Sequence, residues 1–114
     1  TFAPGVDYLL MAGHSAGQTA LRVATANGPI LLASDAVHYY REIQEELVFG
    51  AFNDMKEMLA SLRRCRAEVG GDWDRLIPGH DPIVSKRYPA ETRLANGAPV
   101  ALRLDLPPTG PVEL

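Results

Sequence analysis

The sequence holds a single cysteine, Cys65, so no internal disulfide can form, and a reducing, cytoplasmic setting is expected. No apolar run approaches about 18 residues, which excludes a membrane-spanning helix. A basic excess is also missing: the formal net charge is −3, whereas a nucleic-acid phosphate backbone calls for a clustered cationic face. Arg63, Arg64 and Arg66 do stand together, but Glu57 and Glu68 flank them, which reads as a solvated helix face. The start Thr1-Phe2-Ala3-Pro4 has no initiator Met, basic leader or apolar signal core, and is not expected to be a native beginning. Histidine is scarce as well: only His14, His38 and His80 occur, with no second cluster to close a metal site. What remains is ordinary for a folded globular protein, 46% apolar and 22% charged. A chain of 114 residues is one domain or a piece of one.

Val6 to Met11 reads as a strand ending at Gly13, Thr19 to Thr25 as a second and Ile30 to Ala33 as a third. Asn27-Gly28 between two apolar runs predicts a hairpin, with Pro29 lengthening its loop. The spacing of Met55, Met58, Leu59, Leu62 and Val69 predicts a helix over 54–69, with Cys65 or Arg66 in the remaining core slot. Asp54 and Glu57 form a capping box at its start, and Gly70-Gly71 a left-handed stop. Cys65 is expected to fill core space, since nothing marks the basic, open niche of a reactive thiol. The segment 38–46 reads as a short helical turn, and Leu47 to Phe52 as an apolar stretch without period. Asp74 to Ile77 reads as a short strand. Val100 to Leu106 alternates like another before a proline-rich tail.

Three metal-loving side chains sit where apolar runs break into turns: His14 in MAGHSAGQ, Asp35 in ILLASDAVHYY and His80 in RLIPGHDP. Small residues around His14 let backbone approach closely, and Pro78, Gly79 and Pro82 stiffen the turn of His80. Either histidine alone fits a surface loop. Asp35 follows an apolar strand, so it must cap a helical turn or meet donors or a cation. A carboxylate can also bridge two cations about 3.5–4 Å apart.

The segments GHSAGQTALRV, LLASDAVHYY and IPGHDPIV, in that order, resemble the C-terminal half of the metallo-β-lactamase superfamily, and most of all its N-acyl homoserine lactonase branch. The resemblance covers Val6 to Pro89. It implies an α/β fold, half of an αββα sandwich with a mixed sheet and flanking helices, over 1–90, followed by a strand and tail over 91–114. It also implies a site for two ions, usually zinc, in which His14 holds one metal, Asp35 bridges both and His80 holds the other. The family's H-x-H-x-D-H motif is missing, so a fragment is expected, whose N-terminal half or partner chain supplies the other ligands and which alone is inactive. A sheet face left uncovered would favour a homo-oligomer or poor solubility.

In the lactonase-like relatives a tyrosine stands three residues after the bridging aspartate, where this sequence has His38 followed by Tyr39 and Tyr40. Either the register shifts, or His38 serves as the donor to the substrate oxygen. Leu47 to Phe52 lines an acyl-chain groove or packs on the sheet. The implied activity is a metal-dependent hydrolase that opens N-acyl homoserine lactones or similar esters (quorum quenching) with hydroxide carried on the metal. Asp35, His38 and Tyr39 would be its catalytic residues. A glyoxalase II-type thioesterase and a non-catalytic α/β module are the alternatives.

Overall fold

A computed structural model describes residues 1–112. Its main sheet has the order β1-β2-β3-β4, formed by Val6–Leu10, Thr19–Val23, Ile30–Ser34 and Leu76–Pro78. The first three strands run antiparallel, and β4 joins β3 in parallel, so the sheet is mixed. The Asn27-Gly28 turn closes the β2–β3 hairpin, with Thr25 and Gly28 exchanging backbone bonds of 3.3 and 3.0 Å. Arg75 braces this loop from β4's approach, donating from Nη1 to the carbonyls of Asn27 and Pro29.

Alternation along the strands gives the sheet two faces. Leu9, Ala20, Leu31, Ala33 and Leu76 look into one core with Met11, Val37, Tyr40, Ile43, Leu62 and Cys65. The other face carries Tyr8, Leu21, Leu32 and Ile77, register partners of one another across all four strands. That second face is only partly covered: Tyr8 keeps 58% of its surface and Leu10 54%.

Helix α2 (Met55–Glu68) covers the core face, burying Met58, Ser61, Leu62 and Cys65. The apolar stripe therefore runs through Cys65, not Arg66, while Met55 at its start is 55% exposed. Asp54 caps the helix by accepting from the Glu57 amide at 2.9 Å. The box is only half made, because the Asp54 amide donates to the Gly13 carbonyl instead. Gly70 and Gly71, both at positive φ, stop the helix as expected.

Two other expectations are revised. Asp74 belongs to a one-turn 3₁₀ helix, Trp73–Arg75, and only Leu76–Pro78 is extended. The strand expected over 100–106 stops at Leu102: β6 (Pro99–Leu102) pairs with β5 (Ala90–Arg93) as a separate hairpin. Beyond it Arg103 turns back and clasps Asp105 with two bonds of 2.7 and 2.6 Å, which ends the extended run. Residues 113 and 114 of the expected tail lie outside the described part. The short helical turn is α1, Tyr40–Glu45, and a further turn, α3, spans Ile83–Arg87.

Candidate metal centre

β1, β3 and β4 each end beside the same hollow. Past β3 the parallel pairing continues in the turns, with Gly79 N–H donating to the Val37 carbonyl at 2.9 Å and His80 N–H to that of His38 at 3.0 Å. These bonds fix His38 and His80 on adjacent segments, and their rings lie 5.3 Å apart, nearly parallel. His14 approaches from the β1–β2 turn, its ring 5.3 Å from that of His38 and edge-on to it. The lining is completed by Asp35, Tyr39 and Phe49.

Asp35 stands at the centre and uses its two oxygens differently. Oδ1 is 2.8 Å from His80 Nε2 and 3.9 Å from His38 Nε2, while Oδ2 is 3.7 Å from His14 Nε2. Asp35 caps no helix, because the N-cap position of α1 is Tyr39. The three residues expected to converge therefore do so, and His38 joins them. One donor atom each from Asp35, His38 and His80 falls within 4.8 Å of the others. Nitrogen and carboxylate donors around a tetrahedral zinc ion, bound at about 2.0–2.2 Å, lie roughly 3.4 Å from one another. Separations of 2.8 and 3.9 Å straddle that value. Small side-chain rotations would thus seat a cation, and the donor set suits one.

The supports of these side chains are as telling. His14 Nδ1 meets the Ala51 carbonyl at 2.7 Å, which leaves Nε2 facing Asp35. Gly13, just before it, is at φ +136°, and a Cβ there would fall 2.3 Å from the Met58 backbone. Gly79, just before His80, is needed for a related reason: its Cβ would lie 2.7 Å from the Ser34 carbonyl oxygen. Its φ is not positive, so close approach rather than unusual backbone conformation explains this glycine. Asp81 is buried and accepts from the amides of Tyr40 and Ile83, both at 3.0 Å, which anchors the turn carrying His80.

Of the tyrosine pair, Tyr39 faces the hollow. Tyr40 is buried away from it, donating to the Leu76 carbonyl and accepting from Arg87, and burial raises its phenol above the ordinary value. Leu47 to Phe52 forms no regular element. Phe49 stacks on His38 with centroids 4.2 Å apart, and Tyr39, Leu47, Val48, Phe49 and Gly50 line an apolar hollow next to the polar one.

Two neighbours of the His38 ring were not foreseen as such. Phe49 had only its apolar neighbours to mark it. Glu42 lies four residues after His38 on a helical turn, and that spacing was the available signal. It is 5% exposed and sits directly behind the His38 ring.

No protein-family model matches the chain. Over 79 residues it is 33% identical to the N-acyl homoserine lactonase AiiA of Bacillus thuringiensis subsp. kurstaki, covering 68% of this chain and 31% of that protein. An N-acyl homoserine lactonase of Bacillus cereus matches to the same extent. Among solved structures, an N-acyl homoserine lactone hydrolase with N-hexanoyl-L-homoserine at its catalytic metal centre superposes with a TM-score of 0.68 and 29% identity. That match covers 84% of this chain and 37% of the other. A quorum-quenching N-acyl homoserine lactone lactonase gives 0.69 at 27% identity, over 90% and 40%. The chain thus spans about a third of the length of the curated relatives it matches. With the shared mixed α/β fold, these likenesses make it a relative of the N-acyl homoserine lactonases of the metallo-β-lactamase superfamily.

Proposed function

We propose that this chain supplies part of the metal centre of a hydrolase that opens N-acyl homoserine lactones or similar esters, the remaining ligands coming from outside these 114 residues. The observation that carries the reading is Asp35 itself, with one carboxylate oxygen toward His80 and the other toward His14. A carboxylate so placed would be able to serve two cations, and His80 and His14 are the imidazoles that would help to hold them. Zinc is the ion these nitrogen and oxygen donors favour. Divalent cations in such a site polarise a carbonyl and acidify a bound water.

The chain's own residues do the rest. Asp35 would hold the centre together and take up the proton given off by the attacking water. Tyr39 lies on the border between the polar hollow and the apolar one, where its hydroxyl can donate to the oxygen that gains charge as the lactone opens. Leu47, Val48 and Phe49 offer an apolar surface to an acyl chain beside the reacting carbonyl. The half-covered sheet face around Tyr8 and Leu10 gives the missing part of the sandwich a place to pack. By itself the chain would associate through that face.

The test uses the protein that carries this chain, loaded with zinc, against a panel of acyl homoserine lactones, simple esters and glutathione thioesters, followed by acid release. Lactones should be opened fastest, and Asp35→Ala should abolish turnover. Preference for thioesters would transfer the chain to the glyoxalase II-type reading. No turnover of any member, with Asp35→Ala indistinguishable from the parent, would sink the proposal.

A further inference from the structure

Glu42 is a buried carboxylate behind the site for which the hydrolysis gives no use. Its Oε2 accepts from the His38 backbone amide at 2.8 Å. Its Oε1 lies 3.5 Å from His38 Nδ1, and these two atoms are buried with no other partner among the described residues. His38 and Glu42 are only 3% and 5% exposed, so water does not satisfy either group. Two such atoms facing each other are stable when one brings a hydrogen and the other only lone pairs. A carboxylate can only accept. The His38 proton therefore belongs on Nδ1, and Nε2 is left as a bare lone pair pointing at Asp35 Oδ1, 3.9 Å away.

That arrangement decides between the two roles open to this histidine. A neutral imidazole has one N–H, and with it turned to Glu42 the other nitrogen cannot donate to a substrate oxygen. It can bind a cation. Histidine ligands are characteristically backed by a carboxylate or carbonyl on the second nitrogen, which sets the tautomer and raises the basicity of the first. Phe49 covers one face of the ring, holding it from the side that Glu42 does not.

We propose that His38 is a metal ligand through Nε2, with Glu42 as its positioning residue, so that Asp35, His38 and His80 bind one divalent cation within this chain. The inference rests on the metal-centre reading above, but not on the substrate. It also raises the protein donors for that cation from two to three, the number open zinc sites normally have.

Cobalt(II) is the probe, followed by equilibrium dialysis and by its visible absorption, on the chain and on three variants. The parent should take up cobalt with a coordination band. His38→Ala should weaken uptake at least about 10-fold, and Glu42→Gln, which keeps the volume, about 10–100-fold. Long-range proton–nitrogen spectra of the ¹⁵N-labelled parent with zinc need no variant: His38 should show a protonated Nδ1 and a metal-shifted Nε2. A parent that binds cobalt, with His38→Ala binding equally well and Asp35→Ala not at all, would overturn the role of His38 and leave the centre on Asp35, His80 and His14. An Nε2–H tautomer in the zinc-loaded spectrum would do the same. Absence of cobalt uptake by the parent would overturn a three-ligand site within this chain, while leaving a centre completed by ligands from outside it.

Discussion

Gly13 joins the β1 exit, the His14 turn and the start of α2, so replacing it by alanine tests whether the site rests on that junction. Its carbonyl accepts from the amides of Asn53 and Asp54, at 2.8 and 3.0 Å, satisfying donors at the helix entrance. Two neighbouring carbonyls hold the same helix farther along: Ser61 donates to that of Ala12 at 2.6 Å, and Arg64 to that of Leu10 at 3.1 Å. A Cβ at position 13 meets the Met58 Cα and amide nitrogen at 2.3 Å. Those are backbone atoms and cannot rotate aside. Either the helix or the turn must move.

The magnitude has two parts. Holding a residue with a Cβ at φ +136° is unfavourable by about 1–3 kcal/mol. Relieving the overlap adds about 1–3 kcal/mol. Gly13→Ala should therefore destabilise by roughly 2–6 kcal/mol, against a total stability of about 5–15 kcal/mol for a domain. With a urea slope near 2 kcal/mol per molar, a loss of 4 kcal/mol lowers the unfolding midpoint by about 2 M. Gly17→Ala is the control in the same turn, since a Cβ there meets nothing within 4 Å, and it should stay within about 0.5 kcal/mol of the parent. Coincident urea midpoints for the two variants would refute the argument that α2 presses on Gly13.

Cys65 is fully buried in the core, and burial pushes its thiol up to about 12. It should resist a thiol-specific disulfide reagent at pH 8 in the native chain and react rapidly once unfolded; prompt native reaction would contradict its packing. The half-made capping box separates two acidic residues. Asp54→Ala loses the bond from the Glu57 amide and should lower stability by about 1 kcal/mol, a fall of roughly 4–8 °C in melting temperature. Glu57→Ala should cost less than half of that, because the Asp54 amide is held by Gly13, and equal losses would show the box to be complete.

The parts of this fold that were legible in the sequence are those whose signals are local. Asn27-Gly28 specifies its hairpin within four residues, and α2 repeats its apolar spacing over four turns between an aspartate cap and two glycines. The missed elements carry no such repetition. α3 is barely one turn, too short for a period to show, and Ala90–Arg93 has polar and charged residues wherever a strand would alternate. Buried charges were the other loss. Arg87 is 4% exposed, bonded to Asp74 and to the Tyr40 hydroxyl, yet in sequence it is one more basic residue near the end of a polar stretch. Glu42 was hidden in the same way among Arg41, Gln44 and Glu45.

The convergence of His14, Asp35 and His80 was legible through their turns, but the place of His38 depends on register. Ser34 pairs with Pro78 at the end of the parallel ladder, and the next backbone bonds join Val37 to Gly79 and His38 to His80. Whatever side chain stands at position 38 is thereby carried to the edge of the hollow beside that of position 80. A tyrosine there would offer a hydroxyl to a substrate, whereas a histidine offers a nitrogen whose behaviour depends on what lies behind it. In this chain Glu42 lies behind it, four residues later and in the first turn of the helix that begins at Tyr40, so the segment that delivers the imidazole also delivers its carboxylate. The physical difference from a tyrosine-bearing site thus needs no change of backbone: two side chains, one helical turn apart, are enough to turn a hydrogen-bond donor into a ligand.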